Sequence, residues 1–202
     1  MPRRAALPSA PTRGRTATAP HEVRIIGGQW RRTRLPVLDK PGLRPTPDRV
    51  RETLFNWLGQ DLSGWRCVDA FAGSGALGLE AASRGAADVL LVEQDPVLAA
   101  QLRQTAQRLG AGTVRVQRGD GVAALRAQGG GSVDLALLDP PFDAAALFAP
   151  ALDAAAAAVR AGGWVYLEAP ALADAAQLQA LGLTLHRHLK AGAVHAHLLC
   201  VL

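Results

Sequence analysis

The sequence predicts an α/β fold: a mostly parallel seven-stranded sheet with an antiparallel last strand, covered on both faces and preceded by a basic β-hairpin and a helix. Three observations predict it. Beyond Gly64, short apolar runs alternate with helical segments, the texture of repeated βαβ units. The first of these runs opens into a glycine-rich turn, where such sheets hold a ligand beyond the strands' carboxyl ends. Ahead of them lies an arginine-rich stretch, 22–60, of different character.

Taken in order, residues 1–21 are rich in Pro, Ala, Thr and Arg, hold no acid and show no periodicity, which predicts a disordered basic tail. Its prolines at 2, 8, 11 and 20 argue against the amphipathic helix of an organellar targeting signal. From Val23 to Val37, VRIIGGQWRRTRLPV reads as a strand, a glycine bend and a second strand carrying Arg31, Arg32 and Arg34. After the turn-rich DKPGLRP, Thr46 reads as an N-cap and Pro47 as the first residue of an amphipathic helix. That helix runs through Leu58, with Gly59 as its stop. The domain that follows, 61–202, reads as strands CVDAF, VLLVE, TVRVQ, VDLALLD and WVYLE. The segments between them are SGALGLEAASR, PVLAAQLRQTAQRL, DGVAALRAQ and the alanine-rich 144–160, with 171–181 following WVYLE. LTLHRHL and AVHAHLLCVL close the chain as an antiparallel hairpin around a KAG turn.

At 202 residues, 49% apolar, the chain suits one core of ordinary size. No apolar run approaches the roughly 20 residues of a membrane span, so no membrane partner is expected. Cys67 and Cys200 are far apart and fit neither a disulfide framework nor a zinc site; a reducing cytoplasm suits them. Residues 1–60 hold 12 Lys+Arg against 4 Asp+Glu, a balance of +8, while 61–202 hold 10 against 13, a balance of −3. A basic docking region for a polyanion, attached to a near-neutral catalytic body, follows from that segregation.

Chemistry concentrates at strand ends. Asp69-Ala-Phe71-Ala-Gly73-Ser-Gly75-Ala-Leu-Gly78 satisfies GxGxxG, and the acid Glu93 closes the next strand. A nicotinamide enzyme competes on that pattern alone. Asp69 argues against it, because a carboxylate there repels a pyrophosphate yet suits the sulfonium and ammonium groups of S-adenosylmethionine. Asp120, opening a helix after the third strand, reads either as a helix cap or as an acceptor for an adenine amino group. The fourth strand ends in Asp139-Pro140-Pro141-Phe142, beside the cofactor loop. An exocyclic amine on a base is a poor nucleophile because its lone pair is delocalised into the ring. The Asp139 carboxylate and Pro140 carbonyl can accept its hydrogens and orient the lone pair, and Phe142 can stack on the base. His186, His188, His195 and His197 invite a metal reading, but HxH at strand spacing with no cysteine or acid nearby reads as ordinary strand surface, and no metal is expected.

Together RIIGGQWRRTRLPV, GLRPTPDRVRETLFNWL, DAFAGSGALGLEAASRGA, VEQDP and DPPF closely resemble the bacterial 16S rRNA guanine(966)-N2 methyltransferase family. The resemblance runs from about Arg24 to the end and implies a Rossmann-like class I methyltransferase with strand order 3-2-1-4-5-7-6. It implies S-adenosylmethionine as cofactor, held by Asp69, Gly73 and Gly75 at the methionine end, Glu93 at the ribose and Asp120 at the adenine, with Phe71 also on the cofactor. Arg44 and Thr46 belong to the block that closes over cofactor and active site, with Arg49 and Arg51 on the next helix. The guanine falls to Asp139, Pro140, Pro141 and Phe142, and the rRNA to Arg24, Arg31, Arg32, Arg34, Arg49 and Arg51. A monomer acting on 16S rRNA in the small subunit or its assembly intermediate is expected. Rival readings are methyl transfer to adenine N6 or a protein glutamine, a nicotinamide oxidoreductase, and a non-catalytic RNA-binding assembly factor. Two features depart from the family: residues 1–21 precede its usual start, and AVHAHLLCVL lacks the aromatic residues that relatives carry there.

Overall fold

The computed structural model describes residues 22–40 and 46–202. The expected basic tail, 1–21, and Arg44 lie outside the described residues. Strands β1 (Glu22–Arg24) and β2 (Arg34–Pro36) form the N-terminal hairpin, followed by α1 (Asp48–Trp57). The alternating body contains β3 (Arg66–Asp69), α2 (Ala76–Ser83), β4 (Asp88–Glu93), α3 (Pro96–Leu109), β5 (Val114–Arg118), α4 (Gly121–Arg126) and β6 (Val133–Leu138). A 3-10 turn (Ala145–Leu147) leads into α5 (Phe148–Ala158), β7 (Val159–Ala169), α6 (Ala175–Ala180), β8 (Leu183–Ala191) and β9 (Val194–Val201).

Seven strands form one sheet in the order β5-β4-β3-β6-β7-β9-β8, which is 3-2-1-4-5-7-6 when counted within the body. Pairings are parallel from β5 to β7, while β9 runs antiparallel to both β7 and β8. The order reverses between β3 and β6, and the loops at that switch point share a crevice at the carboxyl edge.

Strand alternation sends successive side chains to opposite faces and builds two cores. Cys67, Val89, Leu91, Leu135, Leu137 and Tyr166 face α1, α2 and the hairpin. Val68, Leu90, Val92, Ala136, Leu138 and Val165 face α4, α5 and α6. The hairpin and α1 have no core of their own, since Val23, Ile25, Leu35, Val50, Leu54 and Phe55 join the first cluster.

A buried carboxylate ties this module down. Glu80 on α2 accepts the Ile26 and Gly27 amides at 2.7 Å each and pairs with Arg51 at 3.3 Å and Arg84 at 2.8 Å. At Gly28 the backbone adopts φ +72°, and a Cβ there would stand 1.8 Å from the Ser83 carbonyl oxygen, so only glycine fits.

The structure moves several local expectations. Arg31 and Arg32 lie in the turn rather than on the second strand, with Arg32 at φ +70°. Thr46 does not cap α1: Pro47 occupies the N-cap position without a side-chain bond, and Asp48 begins the helix. The alanine-rich helix ends at Ala158, because β-branched Val159 already pairs with Val133 at the start of β7.

Candidate active site

The crevice is built from strand ends. Asp69 ends β3 with its side chain on the α2 side of the sheet. Its Oδ2 accepts the Gly78 amide at 2.9 Å, while Oδ1 is buried with no partner among the described residues. Burial pushes this carboxyl up to about 7. Gly78 is required by the same contact, since a Cβ there would stand 2.2 Å from the Leu91 side chain and 3.0 Å from Asp69 Oδ2. Phe71 is half-buried, Gly73 takes φ +52°, and Gly75 (φ +80°) is the left-handed N-cap of α2. Glu93 ends β4, and its two oxygens accept the Gly73 amide at 2.9 Å and the Asp95 amide at 2.8 Å. It thereby clamps the glycine turn onto the second strand. Asp120 is the N-cap of α4 and accepts the Ala123 amide at 2.7 Å.

Asp139 directly follows β6, next to β3 in the sheet. Pro140 is buried behind it, whereas Pro141 and Phe142 are exposed, Phe142 by 38%. The ring therefore has a free face toward solvent. Burial, with the Glu168 and Asp69 carboxylates near, raises the Asp139 carboxyl well above the usual range. Thr46, buried, points its hydroxyl at Asp139 Oδ2 from 3.5 Å. The sequence thus supplies a side chain read first as a cap to the carboxylate of the crevice.

Expected site residues fall into two groups. Asp69, Phe71, Gly73, Gly75, Glu93, Thr46 and Asp139–Phe142 converge on the carboxyl edge, and Asp120 opens the helix after β5 at that same edge. Arg31 and Arg32 do not converge there. Their turn bonds to Ser83, the last residue of α2, so it sits one helix length, roughly 12 Å, toward the opposite edge. Arg34 pairs with Glu22 at 3.0 Å and Arg24 with Asp48 at 3.2 Å, all four side chains being solvent-exposed, and Arg49 is exposed without an ion pair among the described residues.

Arg51 requires a correction. Expected to touch substrate, it is 0% exposed, and its guanidinium is consumed by Glu80, Asp48 at 2.6 Å and the Thr46 carbonyl at 3.2 Å. An arginine at helical spacing in a basic segment reads as surface, but a buried acid on α2 draws it inward.

One residue of the crevice escaped sequence reasoning. Glu168 on β7 is buried, accepts the Tyr166 hydroxyl at 2.9 Å and lies beside Asp139. The available signal was the acid ending WVYLE, matching Asp69, Glu93 and Asp139 on neighbouring strands. The histidines also cluster more tightly than a strand surface implies: ligand atoms of His188, His195 and His197 lie within 4.8 Å of one another. His197 is buried, its Nδ1 3.2 Å from the Leu167 carbonyl and its Nε2 accepting the Ala173 amide at 3.1 Å. Both of its ring nitrogens therefore serve the backbone. His188 and His195 bond to each other at 3.0 Å, and His186 packs against Trp164.

This strand order, with a reversed last strand and a carboxylate-lined glycine crevice, defines a Rossmann-like α/β fold of the class I methyltransferase type. The family described as conserved hypothetical protein 95 matches residues 23–200, and the chain belongs to it. Over 121 residues it is 53% identical to ribosomal RNA small subunit methyltransferase D of Escherichia coli strain K12, covering 60% of this chain and 61% of that protein. The protein of the same name from Haemophilus influenzae is 45% identical over 130 residues, covering 63% and 67%. A solved Escherichia coli structure, provisionally assigned as a methyltransferase, superposes with a TM-score of 0.75 at 36% identity, covering 89% of this chain and 98% of that one. The matched stretch thus spans about three-fifths of the length of the Escherichia coli methyltransferase.

Proposed function

We propose that the protein methylates the exocyclic N2 amino group of a guanine in 16S rRNA, using S-adenosylmethionine, on the small ribosomal subunit or its assembly intermediate. The observation that carries this reading is the shared crevice. It joins an unpartnered buried carboxylate oxygen on Asp69 to an Asp-Pro-Pro-Phe turn whose acid faces the same space and whose aromatic ring is exposed. The names borne by the relatives support rRNA as the substrate class.

The residues present fit the cofactor. A buried carboxylate oxygen without a donor is costly, and an α-ammonium group offers the missing one. Glu93 is half-exposed and retains lone pairs for ribose hydroxyls, while Asp120 opens α4 where the adenine would lie. When bound, S-adenosylmethionine supplies an electrophilic methyl group on a sulfonium. The chain's own part is to orient the nucleophile. Asp139 and the Pro140 carbonyl accept the amino hydrogens, Phe142 stacks on the extruded base, and Asp139 takes the proton that the nitrogen sheds. A nicotinamide reading is disfavoured by the same buried acid, which repels a pyrophosphate.

No helix among the described residues is long and apolar enough to cross a membrane. The reading places the protein on ribosomal particles in the cytoplasm, acting as a monomer. The deciding experiment transfers tritium from labelled S-adenosylmethionine to small subunits of a strain lacking this protein, then maps the nucleotide. Label on guanine N2 is expected; label on adenine, on protein, or none at all would overturn the reading.

A further inference from the structure

By sequence the basic character lies in residues 1–60, but the fold exposes a second basic segment beside the hairpin. Residues 96–118 hold Arg103, Arg108, Arg115 and Arg118 and no acid, a balance of +4. The rest of 61–202 then holds 6 Lys+Arg against 13 Asp+Glu, a balance of −7. This segment is α3 and the edge strand β5. Arg108 donates to the Arg34 carbonyl at 3.2 Å and Gln101 to the Pro36 carbonyl at 2.6 Å, so β2 lies along α3. On β5, Val114 and Val116 pack against the first core, Arg115 turns to the opposite face and pairs with Asp88 at 2.9 Å, and Arg118 returns to the α3 side. Arg103, Arg108 and Arg118 are exposed and form no ion pair among the described residues.

An open groove of about 480 Å³ separates α3 from β5, lined by Arg103, Ala106, Gln107, Gly110, Val114 and Val116. The arginines are strung out rather than clustered. Arg108 stands in the last turn of α3 beside the hairpin, Arg103 further back along the helix, and Arg118 at the carboxyl end of β5, in register with Glu93. A helix of 14 residues is roughly 21 Å long, so cations spread along it suit an extended polyanion and not a single anion. Gln104 and Gln107 are exposed among them and offer amide hydrogens to phosphate or ribose oxygens.

We propose that α3 and the edge of β5 form a second phosphate-binding track, which carries the RNA backbone from the hairpin, at Arg34 and Arg108, past Arg103 to Arg118 at the carboxyl edge that holds the crevice. This rests on the rRNA methyl-transfer reading and assigns the track phosphate contacts alone, which position the RNA without reading its sequence.

The test measures binding of a 16S rRNA fragment at several salt concentrations, with turnover on small subunits, for the wild type and for Arg103→Gln, Arg108→Gln and Arg118→Gln combined. The slope of log affinity against log salt should fall by about 2 to 3, each lost phosphate contact contributing about 0.7 to 0.9. KM should rise about 10-fold or more, while kcat, cofactor affinity and melting temperature stay nearly unchanged. Lysine at the same three positions should restore the slope, because counterion release needs the charge rather than the guanidinium shape. Arg115→Gln, on the opposite face, should leave the slope where it is. A combined Gln variant with wild-type slope and affinity would overturn the track, as would an equal loss from Arg115→Gln. A wild type that holds polyglutamate as tightly as RNA would overturn it too, by assigning the face to an acidic protein. Failure of the methyl-transfer reading is distinct: a wild type that binds the RNA but transfers no methyl to it refutes that reading, and the salt slopes still judge the track.

Discussion

At the scale of single residues, the crevice divides its work between acids with different partners. Asp139 is bonded to no backbone amide among the described residues, which leaves its oxygens for an amino group. Asp139→Ala should therefore cost about 100-fold or more in turnover while cofactor affinity stays nearly intact. Retention of more than roughly a third of wild-type activity would remove Asp139 from the chemistry. Asp69 differs because its burial raises the carboxyl to about 7. A cationic ligand binds the ionised form, so affinity for S-adenosylmethionine should rise as pH climbs from 6 to 8, with proton release on binding. Calorimetry in buffers of different ionisation enthalpy measures that release; a pH-independent affinity would contradict the assignment. Asp69→Ala and Glu93→Ala should each weaken binding roughly 10- to 150-fold, the worth of a charge-assisted hydrogen bond.

At the scale of elements, the hairpin and α1 depend on one side chain. Glu80 satisfies two amides of the hairpin turn and two buried or nearly buried arginines from α1 and α2. Removing one partner from such a network strands the others without solvent. Glu80→Ala should thus cost about 3 to 5 kcal/mol, read as a fall in the denaturation midpoint. A loss below about 1 kcal/mol would show the network to be dispensable. The turn it anchors carries Arg31 and Arg32 away from the crevice, so any contact with RNA there is with phosphates distant from the target base. Replacing Arg31, Arg32 and Arg34 with serine should lower the slope of log affinity against log salt by about 2 to 3, each phosphate contributing about 0.7 to 0.9. Binding isotherms with unchanged slope and affinity would make these arginines a solvated face instead.

For the whole molecule, the buried acids set how stability follows pH. Asp69, Asp139 and Glu168 all have carboxyls raised in the folded state. The stability they contribute is fully present below their unfolded value near 4 and is lost as pH rises through the folded value, about 7 for Asp69. The exposed Asp95, lowered by the Lys40 ammonium that bonds to it, acts oppositely but only in acid. Melting temperature at constant ionic strength should therefore fall from pH 5.5 to 8.5, and S-adenosylmethionine should restore part of the loss by neutralising Asp69. A melting temperature that climbs across this range would show that these acids ionise freely.

Much of this protein was legible from neighbouring residues alone. The alternating strands and helices, the glycine turn and the strand-end acids Asp69, Glu93 and Asp139 follow from apolar spacing and turn chemistry, which act within a few residues of sequence, whereas the strand order was legible only through the family resemblance. The helix cap Asp120 is equally local, accepting the amide three residues on. Tertiary structure alone decided the rest. Arg51 finds Glu80 across 29 residues, and Thr46 finds Asp139 across 93. Whether an arginine is a docking surface or a buried tether, and whether a threonine caps a helix or faces the carboxylate of the crevice, depends on what packs against it. Burial makes an unpartnered charge expensive, so the partner brought by the fold, rather than the spacing in the chain, sets the role of each such side chain.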